Sequence, residues 1–244
     1  MRERVDDTGF GNIRVIQRPG FGYGVDAVLL AAFAAGETGA CPAGRNDRIA
    51  DLGTDCGIVA FIAAHKLPGT KILGIDKREE AIERAERACG MNGLADRVSF
   101  AVMDIKDITI RGEFDSVVSN PPYFRRGSAL PSSSDDRYTA RHETTADFSD
   151  FAEAASRMLR KGGSFYLVHR PDRLADVITG LRAAGLEPKE LQMVTPSQGK
   201  PANIVLIRSV KGAGPELKIL ADVAVHNPDG SYTDVILRLY ERNK

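Results

Sequence analysis

The sequence has no net charge: 33 Lys and Arg balance 33 Asp and Glu. A dedicated duplex-DNA binder is usually basic overall, so any nucleic-acid contact here must come from a local patch. Cysteine is scarce. Cys41, Cys56 and Cys89 are an odd number without metal-like spacing. That argues against a disulfide framework or a bound metal, and for a reducing, cytoplasmic setting. The start, MRERVDDTGF, lacks the apolar core of a signal peptide. The longest apolar run is built on VLLAAFAA (Val28 to Ala35), too short to cross a bilayer, so no membrane role is expected. No internal repeat is evident, and low complexity is confined to SALPSSSDD, Ser128 to Asp136.

What is present reads as one α/β domain. The 244 residues, 43% of them hydrophobic, suffice for a large core. NIRVIQRPGFGYG (Asn12 to Gly24) predicts a short hairpin, an extension over residues 1–24 packed on a main domain of residues 25–244. VDAVLLAAFAA predicts a helix from near Asp26, DRIADLG a buried strand and GIVAFIAAHKL a helix stopped by Pro68-Gly69. KILGID is a strand, REEAIERAERACGMNG an amphipathic helix ending at Asn92-Gly93, and RVSFAVMD and FDSVVSN are strands. DFSDFAEAASRMLRKGG predicts a helix with a glycine stop, SFYLVHR a strand and LADVITGLRAAG a helix. ANIVLIRSVKG and LKILADVAVH predict late strands. Alternating βα units with β-rich runs imply a mostly parallel sheet covered by helices on both faces.

Ligands bind such sheets at the carboxyl ends of the strands. Four polar features fall there: DLGTDCG after the first strand, Asp76 after the second, Asp104 after the third, and Asn120-Pro121-Pro122-Tyr123 after the fourth. Gly53 and Gly57 allow backbone to approach a ligand closely. The spacing is neither G-x-G-x-x-G nor a P-loop. Asp51 at the loop entrance repels a pyrophosphate and suits a cation, as in S-adenosylmethionine. Asp76, at the end of the next strand, suits two ribose hydroxyls. Asp104 suits an adenine amino group. Cys56 reads as a small buried hydrophobe.

These residues resemble the S-adenosylmethionine-dependent methyltransferases of the Rossmann-like seven-stranded class. DLGTDCG matches their acidic-x-Gly-x-Gly-x-Gly loop except at Asp55, which stands in place of the central glycine. Asp tolerates a left-handed backbone better than most residues. Asn-Pro-Pro-Tyr resembles the motif of enzymes that methylate a nitrogen conjugated to a planar system: adenine N6, cytosine N4, guanine N2 or the glutamine amide. The resemblance implies that the Asn120 side chain and the Pro121 carbonyl accept the two N–H bonds of the target amine, stiffened by Pro122. Tyr123 offers a face for stacking.

The flanks narrow the target. Arg125, Arg126, Arg137 and Arg141 punctuate a polar loop, Phe124 to Thr145, that also holds His142. Basic residues interleaved with aromatics suit phosphate contacts and base stacking. YGVDAVLLAAF, NPPYFRRG, RYTARHE and the tail from KPANIVLIRSVKG to DGSYTD together resemble the bacterial tRNA adenine-N6 methyltransferase family, over nearly the whole chain. That family implies tRNA as the partner and Tyr23 to Asp26 as a border of the cofactor. Asp26 equally suits a helix N-cap. Lys200, near Pro196 and Pro201, suits a phosphate. Methylation of ribosomal RNA or DNA, methylation of a protein glutamine, and a non-catalytic cofactor- or RNA-binding module stay open.

Overall fold

In each central strand, neighbouring apolar residues feed two different cores, one on either face of a single sheet. The computed structural model describes residues 3–9, 11–18, 22–121 and 146–242. Its main sheet contains β3 (Arg48–Leu52), β4 (Lys71–Asp76), β5 (Val98–Val102), β6 (Phe114–Ser119), β7 (Leu159–His169), β8 (Leu186–Ser197) and β9 (Ile204–Lys211). The order is β5-β4-β3-β6-β7-β9-β8. Only β9 runs antiparallel to its neighbours, β7 and β8. Two short strands, β10 (Lys218–Ile219) and β11 (Val223–His226), pair parallel with β8 at the edge. The βα alternation predicts the mostly parallel sheet, and its seven core strands form the Rossmann-like arrangement that the methyltransferase resemblance implies.

Period-two alternation sends Ile49, Val118, Tyr166 and Val168 to one face. There they meet α1 (Val25–Ala34), α2 (Ile58–Lys66), α3 (Glu79–Met91) and the closing helix α6 (Asp234–Leu239). Ala50, Leu52, Val117, Phe165 and Leu167 point the other way, onto α4 (Phe148–Met158) and α5 (Leu174–Ala183). From Ala27 to Ala34 every residue of α1 is buried, which explains an apolar run with no polar stripe. Each large side chain buried this way stabilises the fold by roughly 1.5–3 kcal/mol. None of the described helices is long and apolar enough to cross a membrane.

The N-terminal hairpin forms, but one strand earlier than expected. β2 (Arg14–Gln17) pairs with β1 (Arg4–Asp7), which precedes it, while the Pro19-Gly20 turn expected to follow it lies outside the described residues. The reversal lies at Thr8 to Ile13, where Gly9, Gly11 and Asn12 adopt positive φ. Asn92, at the C-terminal end of α3, ties the hairpin down. It accepts from the Arg14 N–H and donates to the Arg14 carbonyl, both at 2.8 Å.

Three other elements differ from the sequence reading. Leu159 to Gly163 extend β7 instead of prolonging α4, and Gly162, at φ +78°, lies in the irregular stretch of the β6–β7 pairing, so it serves the strand and not a helix stop. The strand expected over LKILADVAVH divides into β10 and β11. β8, twelve residues long, has no counterpart in the sequence reading. Its buried positions include Glu190 and Gln192, which break the apolar alternation. Gln192 donates to the carbonyls of Thr38 and Ala221, and Glu190 accepts from the Cys41 N–H.

Candidate active site

The parallel register brings the polar strand ends to one rim. Asp51 on β3 lies beside Val118 on β6, and Leu52 beside Ser119. Across β4, Asp76 is level with Val102 on β5. The loop after β3 is pinned to β4 by hydrogen bonds from the Gly53 and Thr54 N–H groups to the Ile75 carbonyl, at 2.8 and 3.0 Å. Gly53 and Gly57 have φ of +74° and +81°, and Asp55 is left-handed too, at +46°. A methyl at Gly57 would lie 2.9 Å from the Phe61 ring and 3.0 Å from Phe100. The loop therefore requires glycine there for backbone angle and for space.

Asp51 is buried under this loop, not open at its entrance, with 1% of its surface exposed. Burial pushes its carboxyl up to about 7, against the lowering effect of the Thr54 hydroxyl bonded to it at 2.6 Å. Cys56 is buried and its thiol is pushed up to about 12, first by desolvation and then by the charge of Asp55, so it is an inert core thiol.

Asp76 is also buried, and its two carboxylate oxygens accept four hydrogen bonds. The N–H groups of Asp55 and Arg78 each reach it at 3.0 Å. The Arg78 guanidinium adds Nε to Oδ1 and Nη2 to Oδ2, both at 3.1 Å, and the same Nη2 lies 3.0 Å from Asp55 Oδ1. Asp104 caps a short 3₁₀ turn (Ile105–Asp107), accepting from the Lys106 N–H at 3.0 Å.

Asn120 is half-buried and Pro121 buried at the end of β6. The preceding Ser119 hydroxyl donates to the Leu52 carbonyl at 2.8 Å, which fastens this strand end to the one carrying the glycine loop. Pro122, Tyr123, Arg125, Arg126, Arg137, Arg141 and His142 lie outside the described residues. Lys200 is exposed in the turn after β8. Asp26 is not the N-cap of α1. Gly24 holds that position without a side-chain bond, and Asp26 sits in the first turn. Tyr23 is half-buried, and that burial raises its phenol.

Thr54 and Arg78 escaped the sequence reading. So did a cleft of about 490 Å³ lined by Val25, Asp26, His169, Arg170 and Asn203, among others. Since β6 and β7 pair with Ser119 beside Leu167, this cleft adjoins the strand next to Asn120. His169 accepts from the Arg170 N–H through Nδ1 at 2.8 Å, and burial lowers its pKa, so the ring is neutral with its proton on Nε2. The signal available for Arg78 was its place two residues after the second-strand Asp, where a helix N-cap acceptor is the ordinary choice.

Comparison with known proteins agrees with this layout. Residues 27–178 match the methyltransferase small domain family. A tRNA1(Val) (adenine(37)-N6)-methyltransferase of Porphyromonas gingivalis is 30% identical over 237 residues, covering 89% of this chain and 86% of that one. Its namesake in Bacteroides thetaiotaomicron is 28% identical over 220 residues, 89% of each chain. Among crystal structures, a predicted O-methyltransferase from Agrobacterium tumefaciens superimposes with a TM-score of 0.70 over 89% of this chain and 96% of that one. At 23% identity that likeness speaks to the fold alone.

Proposed function

We propose that this chain, which belongs to the methyltransferase small domain family and within it to the tRNA1(Val) (adenine(37)-N6)-methyltransferases, methylates the exocyclic N6 of an adenine in the anticodon loop of a tRNA. S-adenosylmethionine is the methyl donor. The residues present fit it: a glycine turn that admits backbone to a ligand, a carboxylate at the second strand end for the ribose, and no lysine within the turn to call for phosphate. When bound, the donor supplies an electrophilic methyl group on a cationic sulfur.

The protein's own task is positioning. The exocyclic amine of adenine is a weak nucleophile because its lone pair is delocalised into the ring. The Asn120 side-chain carbonyl and the Pro121 backbone carbonyl accept its two N–H bonds, hold the nitrogen in line and favour a localised lone pair as attack proceeds. Both acceptors are stiff: Pro121 and Pro122 fix the chain, and Ser119 anchors it to Leu52 at 2.8 Å. Tyr123 stacks on the extruded base. Gly53 and Gly57 admit the donor, Asp76 accepts from its ribose, Asp104 from its adenine, and Asp26 supplies negative charge near its amino-acid end, beside Tyr23, while Asp51 braces the glycine loop from beneath through the Thr54 hydroxyl. The arginines at 125, 126, 137 and 141, with Lys200, contact phosphates. A loop base is less costly to extrude than a paired one.

The observation that supports this reading best is the adjacency of the Asn120-Pro121 strand end and the glycine loop, joined through Ser119 and Leu52. The test is mass spectrometry of nucleosides from isolated valine tRNA. N6-methyladenosine should vanish in a strain lacking this protein and return when the purified protein and S-adenosylmethionine are added to that tRNA. An unchanged nucleoside profile would overturn the assignment.

A further inference from the structure

Two departures from local preference meet in this site. Asp55 takes a left-handed turn position, φ +46°, where glycine is the unstrained choice. Arg78 occupies the N-cap of α3 and makes no capping bond, because a guanidinium has no acceptor to offer the helix. Each is unfavourable alone. Together they make an ion pair, Arg78 Nη2 to Asp55 Oδ1 at 3.0 Å, above a buried Asp76 that both residues also touch. Local rules broken at two facing positions point to function more than to stability.

The hydrogen-bond count at Asp76 shows what is at stake. An ionised carboxylate has about four acceptor sites. All four are taken: two by backbone N–H groups, two by the guanidinium. A ribose diol needs two. The backbone donors are fixed by the glycine loop and by the start of α3. The guanidinium is the only one of these donors on a flexible stem, and its exit is already marked, since half of the Asp55 side-chain surface is exposed beside it.

We infer that Arg78 and Asp55 set cofactor affinity as a pair: the Arg78 guanidinium competes with the cofactor ribose for Asp76, and Asp55 is the carboxylate onto which it is displaced. The pair also keeps the negative charges of Asp55 and Asp76 compensated in both states. This inference rests on the cofactor and not on the identity of the RNA.

The test is calorimetry of S-adenosylmethionine and S-adenosylhomocysteine binding to four proteins: wild type, Arg78→Ser, Asp55→Asn and the double variant. Serine removes the guanidinium and gives α3 a favoured N-cap, and asparagine keeps tolerance of the left-handed turn, so both variants are expected to fold. Arg78→Ser should bind about tenfold more tightly, having lost the competitor. Asp55→Asn should bind several-fold more weakly, because the guanidinium then has only Asp76. The double variant should match Arg78→Ser, since Asp55 acts only through Arg78. Unchanged or weaker binding by Arg78→Ser overturns the inference. So does an equal Asp55→Asn loss with and without Arg78. If wild type binds neither compound, the cofactor reading falls, and this inference with it.

Discussion

The Asp51 carboxylate accepts a 2.6 Å hydrogen bond from the Thr54 hydroxyl beneath the glycine loop. Burial dominates at this site, and the carboxyl rises from an ordinary 3.8 to about 7. The folded protein therefore holds a proton that the unfolded chain releases, so this group's stabilisation is complete below pH 4 or so and is lost as pH rises towards 7. Wild type should lose thermal stability between pH 5 and pH 8 relative to Asp51→Asn, which keeps an acceptor for Thr54 without the charge. Parallel melting curves for the two proteins across that range would show that Asp51 does not titrate there.

Two glycines should respond to alanine with opposite signs. At Gly57 the left-handed backbone costs roughly 1–2 kcal/mol, and the added methyl presses on Phe61 and Phe100 as well. Gly57→Ala should melt several degrees lower and bind the cofactor more weakly. Gly90, inside α3, has nothing within 4 Å of an added methyl. Gly90→Ala should gain roughly 0.5–1 kcal/mol from helix propensity alone. Differential scanning calorimetry reads both, and a Gly57→Ala protein as stable as wild type would contradict the packing described for that loop.

The elements legible in the sequence are those whose burial is apolar and periodic. Ile49 to Leu52, Ile72 to Ile75 and Val117-Val118 announce strands because both sheet faces are covered by apolar helices. β8 is not legible because its buried Glu190 carboxylate and Gln192 amide nitrogen find their partners, Cys41, Thr38 and Ala221, far away in the chain. The site divides in the same way. Gly53, Gly57, Asp76 and Asn120 announce themselves as strand-end residues of special type. Arg78 does not, because its partner Asp55 lies 23 residues earlier and is reached only through the β3–β4 pairing. Asp51 is legible as a strand-end acid, but its burial depends on the loop folding over it.

The basic residues beyond Tyr123 are expected to act on RNA and not on the cofactor. Neutralising Arg125 with Arg126, or Arg137 with Arg141, should weaken tRNA binding and lower the slope of log affinity against log salt by about one for each phosphate left unneutralised. Lys200→Ala, in the exposed turn after β8, should do the same on a smaller scale. Cofactor binding should not change. Filter binding over a salt series measures this, and identical slopes for wild type and variants would remove these residues from the RNA interface.

Asn120 carries the sharpest expectation. Its amide is proposed to act on the target nitrogen and not on the donor, so Asn120→Ala should abolish methyl transfer while leaving cofactor affinity nearly unchanged. Losing one preorganised acceptor in a site of this kind costs about 2.7–4 kcal/mol, or about a hundred- to thousandfold in rate. Asn120→Asp keeps an acceptor, loses the amide's own donor and adds a charge, so it should retain measurable activity. Tyr123→Phe should be mild and Tyr123→Ala severe, because the ring's face and not its hydroxyl is proposed to meet the base. The expected order is wild type, Tyr123→Phe, Asn120→Asp, then both alanine variants. Single-turnover methylation of valine tRNA, with cofactor affinity measured separately, separates these cases, and near wild-type transfer by Asn120→Ala would remove the amide from the mechanism.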